Sequence, residues 1–216
     1  MIELTDVSAG YGQRLVLKGI CKAFHDGNIY GVIGLNGAGK TTLFNVLAGT
    51  KGYSGSIKHS YNRNNPIRKE VAMLPTAPYF FPKSLGEEYL AFIKYAKGGA
   101  AASDRNNLFN IPLKNYVSSY SSGMKKKIAF TGLLIGTHEA YILDEPFNDV
   151  DIIGNVIMKK EIMKLKESGK IVLLSSHILS SLTDICDEIL LLCEGDFKKS
   201  FQKEEYNFIE NHLLNL

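Results

Sequence analysis

The segment GLNGAGKTT at residues 34–42 constrains the fold of this chain more than any other feature. Gly34, Gly39, Lys40 and Thr41 fit the pattern GxxxxGK[ST], between the apolar run IYGVIG and a helical run. Glycines let backbone N–H groups surround an anion, and the helix start adds the positive end of its dipole. The lysine supplies a cation and the threonine a hydroxyl. We therefore predict a strand, a phosphate-binding loop and a helix in immediate succession, rather than a Gly-rich turn without a ligand.

Short apolar runs and helical patterns alternate in the second half of the chain. The runs AYILDE, KIVLLSSH and EILLLCEG are separated by a helix predicted over residues 154–166 and by a shorter helix. This alternation is typical of a parallel sheet that is covered on both faces. We predict an α/β fold with a mainly parallel sheet core.

The first third of the chain is predicted to form an antiparallel β subdomain. Residues 2–35 carry strand patterns with Gly or Asp breaks, and two more short strands are predicted at 56–59 and 71–74. Seven apolar residues are expected in the core: Ile2, Leu4, Leu15, Leu17, Ile29, Val32 and Ile33.

The stretch 84–136 differs from its surroundings because its pattern is mostly helical. Gly98, Gly99 and Pro112 interrupt it, and the run GGAAASD at 98–104 is predicted to be a loop tip. We interpret 84–136 as a helical insertion into a single domain that covers residues 1–216. The tail 203–216 is predicted to be an amphipathic helix.

Composition excludes some functions and favours a cytoplasmic setting. The formal charge of +3 gives no strong field toward nucleic acid, so none is expected as a partner. The three cysteines form no CxxC pair or Cys/His cluster, which favours buried, reduced thiols. We see neither a signal peptide nor an apolar run approaching about 18 residues, so we expect that the chain itself does not cross a membrane.

Acidic residues and one histidine follow two of the predicted parallel strands. Asp144 and Glu145 end the run AYILDE, and His177 ends KIVLLSSH. Ligand sites of α/β sheets assemble at the carboxyl ends of the strands, so Asp144 could lie near a metal and Glu145 near an attacking water. Solvated strand ends are the alternative for the acids, and a structural or surface role is the alternative for His177.

Four segments in this order resemble the ATP-binding-cassette (ABC) family over essentially the whole chain: GLNGAGKTT, YSSGMKKKIAF, YILDEPFNDVD and LLSSH. The resemblance implies a P-loop NTPase that binds ATP and Mg²⁺ and hydrolyses ATP to ADP and phosphate.

The resemblance also implies a role for each motif residue. Tyr11 would stack on adenine, although a strand-end aromatic that caps the core is the alternative. Glu145 would be the catalytic carboxylate and His177 the switch histidine at the γ-phosphate. The phosphate cradle would be Asn36, Gly37, Ala38, Gly39, Lys40, Thr41 and Thr42. The signature loop would be Ser121, Ser122, Gly123 and Met124, with Asp151 closing the D-loop. The Mg²⁺ ligands would be Thr41, Asp144 and Thr76.

An assembly follows from the same resemblance. In this family the signature loop contacts ATP held by the other subunit, which implies an ATP-dependent head-to-tail dimer. A homodimer is the simplest form, and a heterodimer with a related ATPase stays open. The resemblance also implies a separate membrane permease that holds the chain at the inner face of the cell membrane. The aromatic run at 79–82 could be that interface or could pack the insertion against the core.

Two positions depart from the family pattern. Thr76 stands where the family has a Mg²⁺-binding glutamine, and its shorter side chain would need a bridging water. Ser122 replaces a glycine of the signature. Lys125–Lys127 are predicted to form the solvated face of the signature helix.

Three functions are open on this basis. The leading one is an ATPase that drives export, since residues 175–192 and Met124 are most similar to exporter-type ATPases. The others are a regulatory ABC module with little turnover and a soluble ABC ATPase without a transport role.

Overall fold

Two β-sheets organise the chain, and the computed structural model describes them through residues 1–61, 66–97 and 107–214. The strands in this part of the chain are β1 (Ile2–Tyr11), β2 (Arg14–Phe24), β3 (Ile29–Ile33), β4 (Ser54–His59), β5 (Val71–Leu74), β6 (Ala140–Leu143), β7 (Ile171–Ser175), β8 (Glu188–Cys193) and β9 (Asp196–Gln202). The α-helices are α1 (Lys40–Leu47), α2 (Ile67–Glu70), α3 (Gly86–Ala96), α4 (Ser122–Leu133), α5 (Ile152–Glu167), α6 (Leu179–Thr183) and α7 (Ile209–Leu214). Within the same described ranges, 3-10 helices cover Val117–Ser119 and Lys203–Phe208.

The larger sheet has the strand order β5-β6-β7-β3-β8-β9. Its first five strands are parallel to one another, and only β9 is antiparallel to its neighbour β8. The smaller sheet is antiparallel, in the order β2-β1-β4. The predicted α/β class, with a mainly parallel core and an antiparallel N-terminal sheet, is confirmed.

The parallel sheet is buried on both faces, and β3 at its centre shows how. Ile29 and Ile33 belong to a cluster that includes Phe130 of α4 and Met158 of α5. The intervening Tyr30 and Val32 belong to a second cluster, which includes residues of α1 and of the antiparallel sheet. Alternate residues of a strand point to opposite faces, so a wholly apolar strand fills two cores.

The helical stretch packs around a third, smaller cluster. Its buried members come from α3, from α4, from the segment between them and from the residues just after α4: Leu90, Ile111, Val117, Tyr120, Ile128 and Ile135. α4 also contributes Ala129 and Phe130 to the main core, so this helix joins the insertion to the sheet. The bounds 84–136 remain a prediction, and the loop tip predicted at 98–104 lies outside the described residues.

The aromatic run before α3 has side chains both packed inward and exposed at the surface. Phe80 is partly buried against the core and stacks edge-on against Tyr89. Tyr79 and Phe81 are exposed at 75% and 58%. One ring therefore packs the insertion, and two face solvent.

Several predictions about local structure were wrong. Leu15 is 52% exposed. The pairing of β1 with β2 shifts register between Ala9, which lies opposite Leu17, and Gly10, which lies opposite Leu15. Because of this irregularity, Leu15 does not share the buried face on which Leu17 lies. The tail predicted as one amphipathic helix over 203–216 instead forms a 3-10 helix at Lys203–Phe208 followed by the short α7.

Burial of the thiols also differs from the prediction. Cys21 is exposed, Cys193 is half-buried, and only Cys186 is buried as expected. None of the helices in the described ranges combines the length and apolar character that a membrane crossing requires.

Candidate functional site

The loop between β3 and α1 has a backbone that only glycine permits at two positions. A Cβ at Gly34 would lie 2.2 Å from the carbonyl oxygen of Leu192. Gly39 has a φ of 113°, and a Cβ there would lie 2.9 Å from Leu17. Because glycine has no side chain, the loop can lie close against β8 and β2 at these two positions. Its N–H groups and the start of α1 therefore meet at one sheet edge. This is the strand, loop and helix succession that the sequence predicted.

A cavity of about 470 Å³ opens at this edge of the sheet. It is lined by Tyr11, Arg14, Val16, Asn36, Gly37, Gly39, Lys40, Thr41, Thr42, Thr76, Asp144, Glu145 and His177. The structure thus brings together the predicted cradle, metal and catalytic residues from four separate segments, and Tyr11 joins them from a fifth. Ala38, also predicted in the cradle, is not one of the lining residues, and its N–H donates to the carbonyl of Leu35 at 3.1 Å.

Asp144 is a buried carboxylate with a hydroxyl on each oxygen. Thr41 Oγ1 donates to Asp144 Oδ2 at 2.8 Å, and Ser175 Oγ donates to Asp144 Oδ1 at 2.7 Å. Ser175 also accepts the backbone N–H of Glu145 at 3.0 Å. β7, which lies between β6 and β3, carries Ser175 into this position. Sequence reasoning missed Ser175, although the same run ends in His177.

Glu145 and His177 form a pair at the cavity wall. The His177 backbone N–H donates to Glu145 Oε2 at 3.2 Å, and His177 Nε2 lies 3.1 Å from Glu145 Oε1. Oε1 is buried, and no described residue makes a hydrogen bond to it in this arrangement. A carboxylate oxygen without a hydrogen bond keeps a lone pair that can accept a proton.

Lys40 folds back onto its own loop. Its Nζ donates to the carbonyl of Gly34 at 2.7 Å and to that of Leu35 at 3.3 Å. Burial lowers the pKa of the Lys40 ammonium, and the carboxylates of Glu145 and Asp144 oppose this shift. The Lys40 ammonium group therefore lies beside the cavity, hydrogen-bonded to its own loop.

Lys126 contradicts the prediction that Lys125–Lys127 are solvated. It is only 4% exposed, and its Nζ donates to the backbone carbonyl of Glu145 at 2.7 Å. Lys127 is ion-paired with Asp151, and its side chain is 13% exposed. Helix α4 lies between the insertion and the sheet, so its lysines have protein on more than one side.

The predicted signature residues lie outside the cavity. Ser121 caps α4 by accepting the N–H of Met124 at 3.2 Å, and both Ser121 and Ser122 are exposed. Gly123 is buried, and a Cβ there would lie 2.2 Å from the carbonyl oxygen of Asp149. Asp151 caps α5 by accepting the N–H of Gly154 at 2.6 Å. One chain therefore keeps these groups apart from its own phosphate-binding loop.

Tyr11 ends β1 at the mouth of the cavity. Its side chain is 55% exposed, and Lys51 Nζ lies 3.7 Å from the centre of its ring. An exposed ring of this kind offers a flat apolar surface for stacking.

The oxygen groups at the cavity suit a hard divalent cation. The Thr41 hydroxyl and the Asp144 carboxylate are adjacent, and the Thr76 side chain lines the same cavity. Hydroxyl and carboxylate oxygens are the ligands that Mg²⁺ prefers, with the remaining positions filled by water and substrate phosphates. Within the described ranges, no cluster of three or more His, Cys, Asp or Glu residues could hold a metal ion without such help.

Comparison with known proteins places this arrangement in a family. The family model described as ABC transporter matches residues 17–148. An ABC transporter ATP-binding protein from Nostoc sp. is 30% identical over 207 residues, which cover 89% of this chain and only 62% of the longer relative. A lantibiotic transport ATP-binding protein from Streptococcus pyogenes is 30% identical over 221 residues, covering 98% of this chain and 93% of that protein.

A solved structure has the same fold. It is described as an ATP-binding subunit of an ABC transporter and has a TM-score of 0.82 at 27% identity, covering 99% of this chain and 94% of its own. The match includes the glycine loop, the acidic pair after β6 and the sheet that carries them. The chain belongs to the ABC transporter family of ATP-binding proteins and has the P-loop NTPase fold of that family.

Proposed function

We propose that this chain binds ATP with Mg²⁺, hydrolyses it to ADP and phosphate, and uses the energy to drive transport through a separate membrane permease. One observation carries the proposal. A single cavity joins the glycine loop, the Thr41–Asp144 pair and the Glu145–His177 pair, which are the three groups that phosphoryl transfer to water requires.

Phosphate binding uses the loop and Lys40. The N–H groups of residues 36–42 donate to phosphate oxygens, and the Lys40 ammonium exchanges its two carbonyl contacts for the outer phosphates. Tyr11 stacks on the adenine at the cavity mouth.

Thr41 and Asp144 would hold Mg²⁺, and Thr76 would contact it through a water. Bound there, the ion would neutralise charge on the transferring phosphate. Ser175 keeps Asp144 oriented by donating to its second oxygen.

Glu145 activates the attacking water. Its free Oε1 accepts the proton of the water, while the His177 N–H holds Oε2 and so fixes the plane of the carboxylate. The His177 side chain is 53% exposed toward the cavity, where it can donate to the outer phosphate.

A second copy completes the site. The Ser121 hydroxyl oxygen accepts a hydrogen bond from the Met124 N–H. This leaves the hydroxyl proton able to donate a hydrogen bond to a nucleotide held by a partner. Exposed apolar side chains lie beside the predicted contact residues Asp151 and His177: Ile152, Ile153, Val156 and Ile178. Large apolar side chains exposed next to the predicted contact residues support the ATP-dependent homodimer, because such side chains are often covered at interfaces.

The permease contact is proposed at the insertion. Tyr79, Phe81, Phe92 and Tyr95 are all more than half exposed, and Phe81 stacks edge-on against both Tyr79 and Phe92. Tyr79 also lines a cavity of about 370 Å³ between β5 and helices α3 and α4. The name of the lantibiotic transport relative supports a transport role. We also propose that the direction of transport is export and that the chain lies at the inner face of the membrane.

Two experiments test the proposal. Purified protein with ATP and Mg²⁺ should release phosphate and shift from monomer to dimer on size exclusion. Affinity purification from solubilised membranes should recover a multi-spanning partner, and the double variant Tyr79→Ser, Phe81→Ser should lose it while keeping ATP binding. ATP binding without phosphate release would favour a regulatory module, and turnover without a membrane partner would favour a soluble ATPase.

A further inference from the structure

Lys126 is a buried cation that the proposed hydrolysis steps do not use. It lies in α4, is 4% exposed, and places its ammonium 2.7 Å from the Glu145 carbonyl oxygen. Removing an ammonium from water is costly unless hydrogen bonds and opposite charges replace the lost hydration. Burial lowers the pKa of Lys126, and the carboxylates of Asp149, Glu145 and Asp144 oppose this shift. The hydrogen bond to the Glu145 carbonyl replaces part of the hydration that burial removes.

The backbone of Glu145 needs such support because its conformation is unfavourable. Its φ is 52°, in the left-handed region that residues other than glycine rarely adopt. Polar contacts hold both ends of this residue. Its N–H donates to Ser175 Oγ at 3.0 Å, and its carbonyl accepts from Lys126 at 2.7 Å and more weakly from the Asn148 N–H at 3.4 Å.

This backbone conformation decides where the carboxylate points. From it, Glu145 reaches the His177 N–H with Oε2 and leaves Oε1 without a hydrogen bond, 3.1 Å from His177 Nε2. Rotation of the Glu145 peptide away from Lys126 would move both oxygens. Displacements of about 1 Å in a reacting group are enough to cost about a hundredfold in rate.

We propose that Lys126 is a positioning residue for ATP hydrolysis: its ammonium holds the Glu145 carbonyl and so aims the carboxylate at the attacking water. This inference rests on the proposed catalytic role of Glu145. It also connects α4 directly to Glu145 through Lys126. The same helix is capped by the exposed Ser121, which a partner's nucleotide would contact. Movement of α4 on dimer formation would reach Glu145 through one side chain.

The test compares Lys126→Met with Lys125→Met, a control on the same helix that removes a half-buried lysine without this contact. Met has nearly the length of Lys and fits an apolar site, but it cannot donate a hydrogen bond. We expect kcat for Lys126→Met to fall at least about tenfold, while the KM for ATP stays within about threefold and the control is unchanged. Full turnover in Lys126→Met overturns the proposal. Parallel losses of ATP affinity and turnover also overturn it, because they indicate a merely structural role.

Two further variants keep the result decisive. If Lys126→Met does not fold, Lys126→Gln replaces it, since its amide is polar but too short for the Glu145 carbonyl. Slow turnover at normal ATP affinity then supports the proposal, and normal turnover overturns it. In a Glu145→Gln background, Lys126→Met should slow hydrolysis little further, because both changes act on one carboxylate. If Glu145→Gln alone has the turnover of the unmodified protein, the proposed role of Glu145 is wrong. If Glu145→Gln has slow turnover but Lys126→Met has normal turnover, only the inference about Lys126 is wrong.

Discussion

Replacement of Glu145 by Gln should separate ATP binding from hydrolysis. The amide keeps the shape of the carboxylate, and its oxygen can still accept the His177 N–H that now reaches Oε2 at 3.2 Å. The NH₂ group then takes the place of Oε1, the buried oxygen that makes no hydrogen bond among the described residues. A donor would therefore face the attacking water where an acceptor is required.

The size of the effect follows from the role of that oxygen. General base catalysis contributes about a hundredfold to ten-thousandfold, so kcat should fall by that factor, which is roughly 3–5 kcal/mol in activation free energy. The affinity for ATP should change by less than about threefold, because the hydrogen bonds of Glu145 in the described part of the chain go to Ser175, Lys126, Asn148 and His177 and not to the glycine loop. Since ATP is no longer consumed, the ATP-bound dimer should accumulate.

Phosphate release at saturating ATP and Mg²⁺, calorimetric titration and size exclusion measure these three quantities. The control is Glu204→Gln, an exposed carboxylate in the 3-10 helix of the tail. Turnover within threefold of the unmodified protein would refute the role of Glu145. A protein that stays monomeric with ATP would remove the support for a composite site.

Three further changes test the loop, the metal site and the core. Lys40→Ala should weaken ATP binding in a calorimetric titration by about tenfold to a hundredfold while the fold stays intact, because charge-assisted contacts contribute about 1.5–3 kcal/mol. Unchanged affinity would contradict the phosphate-site assignment. Thr76→Gln should reduce turnover, since a longer side chain would crowd the cavity beside Thr41, and a several-fold gain at saturating ATP and Mg²⁺ would show that a metal ligand had been lost. Phe130→Ala should lower the free energy of unfolding by about 3–5 kcal/mol in urea denaturation, because the ring is fully buried. The exposed Phe208→Ala should change it by less than about 0.5 kcal/mol, and equal effects would refute the core assignment.

The sequence alone determined the features that depend on neighbouring residues. The glycine loop follows a strand and precedes a helix, and the bounds of β5 at Val71–Leu74 were predicted as observed. Asp144, Glu145 and His177 were predicted at one sheet edge because parallel strands end on the same side. These inferences hold because strand periodicity, glycine conformations and helix starts are local properties.

Only the tertiary structure decided which distant groups touch. The strand order sets β7 between β3 and β6, and this brings the hydroxyl of Ser175 onto Asp144. The packing of α4 against the sheet edge turned Lys126, which the sequence assigned to a solvated face, into a buried donor to Glu145. Sequence periodicity shows which residues share a face of an element, but it does not show what lies opposite that face. Long-range strand order and helix placement supply that answer, and here they decide which side chains orient the carboxylates of the site.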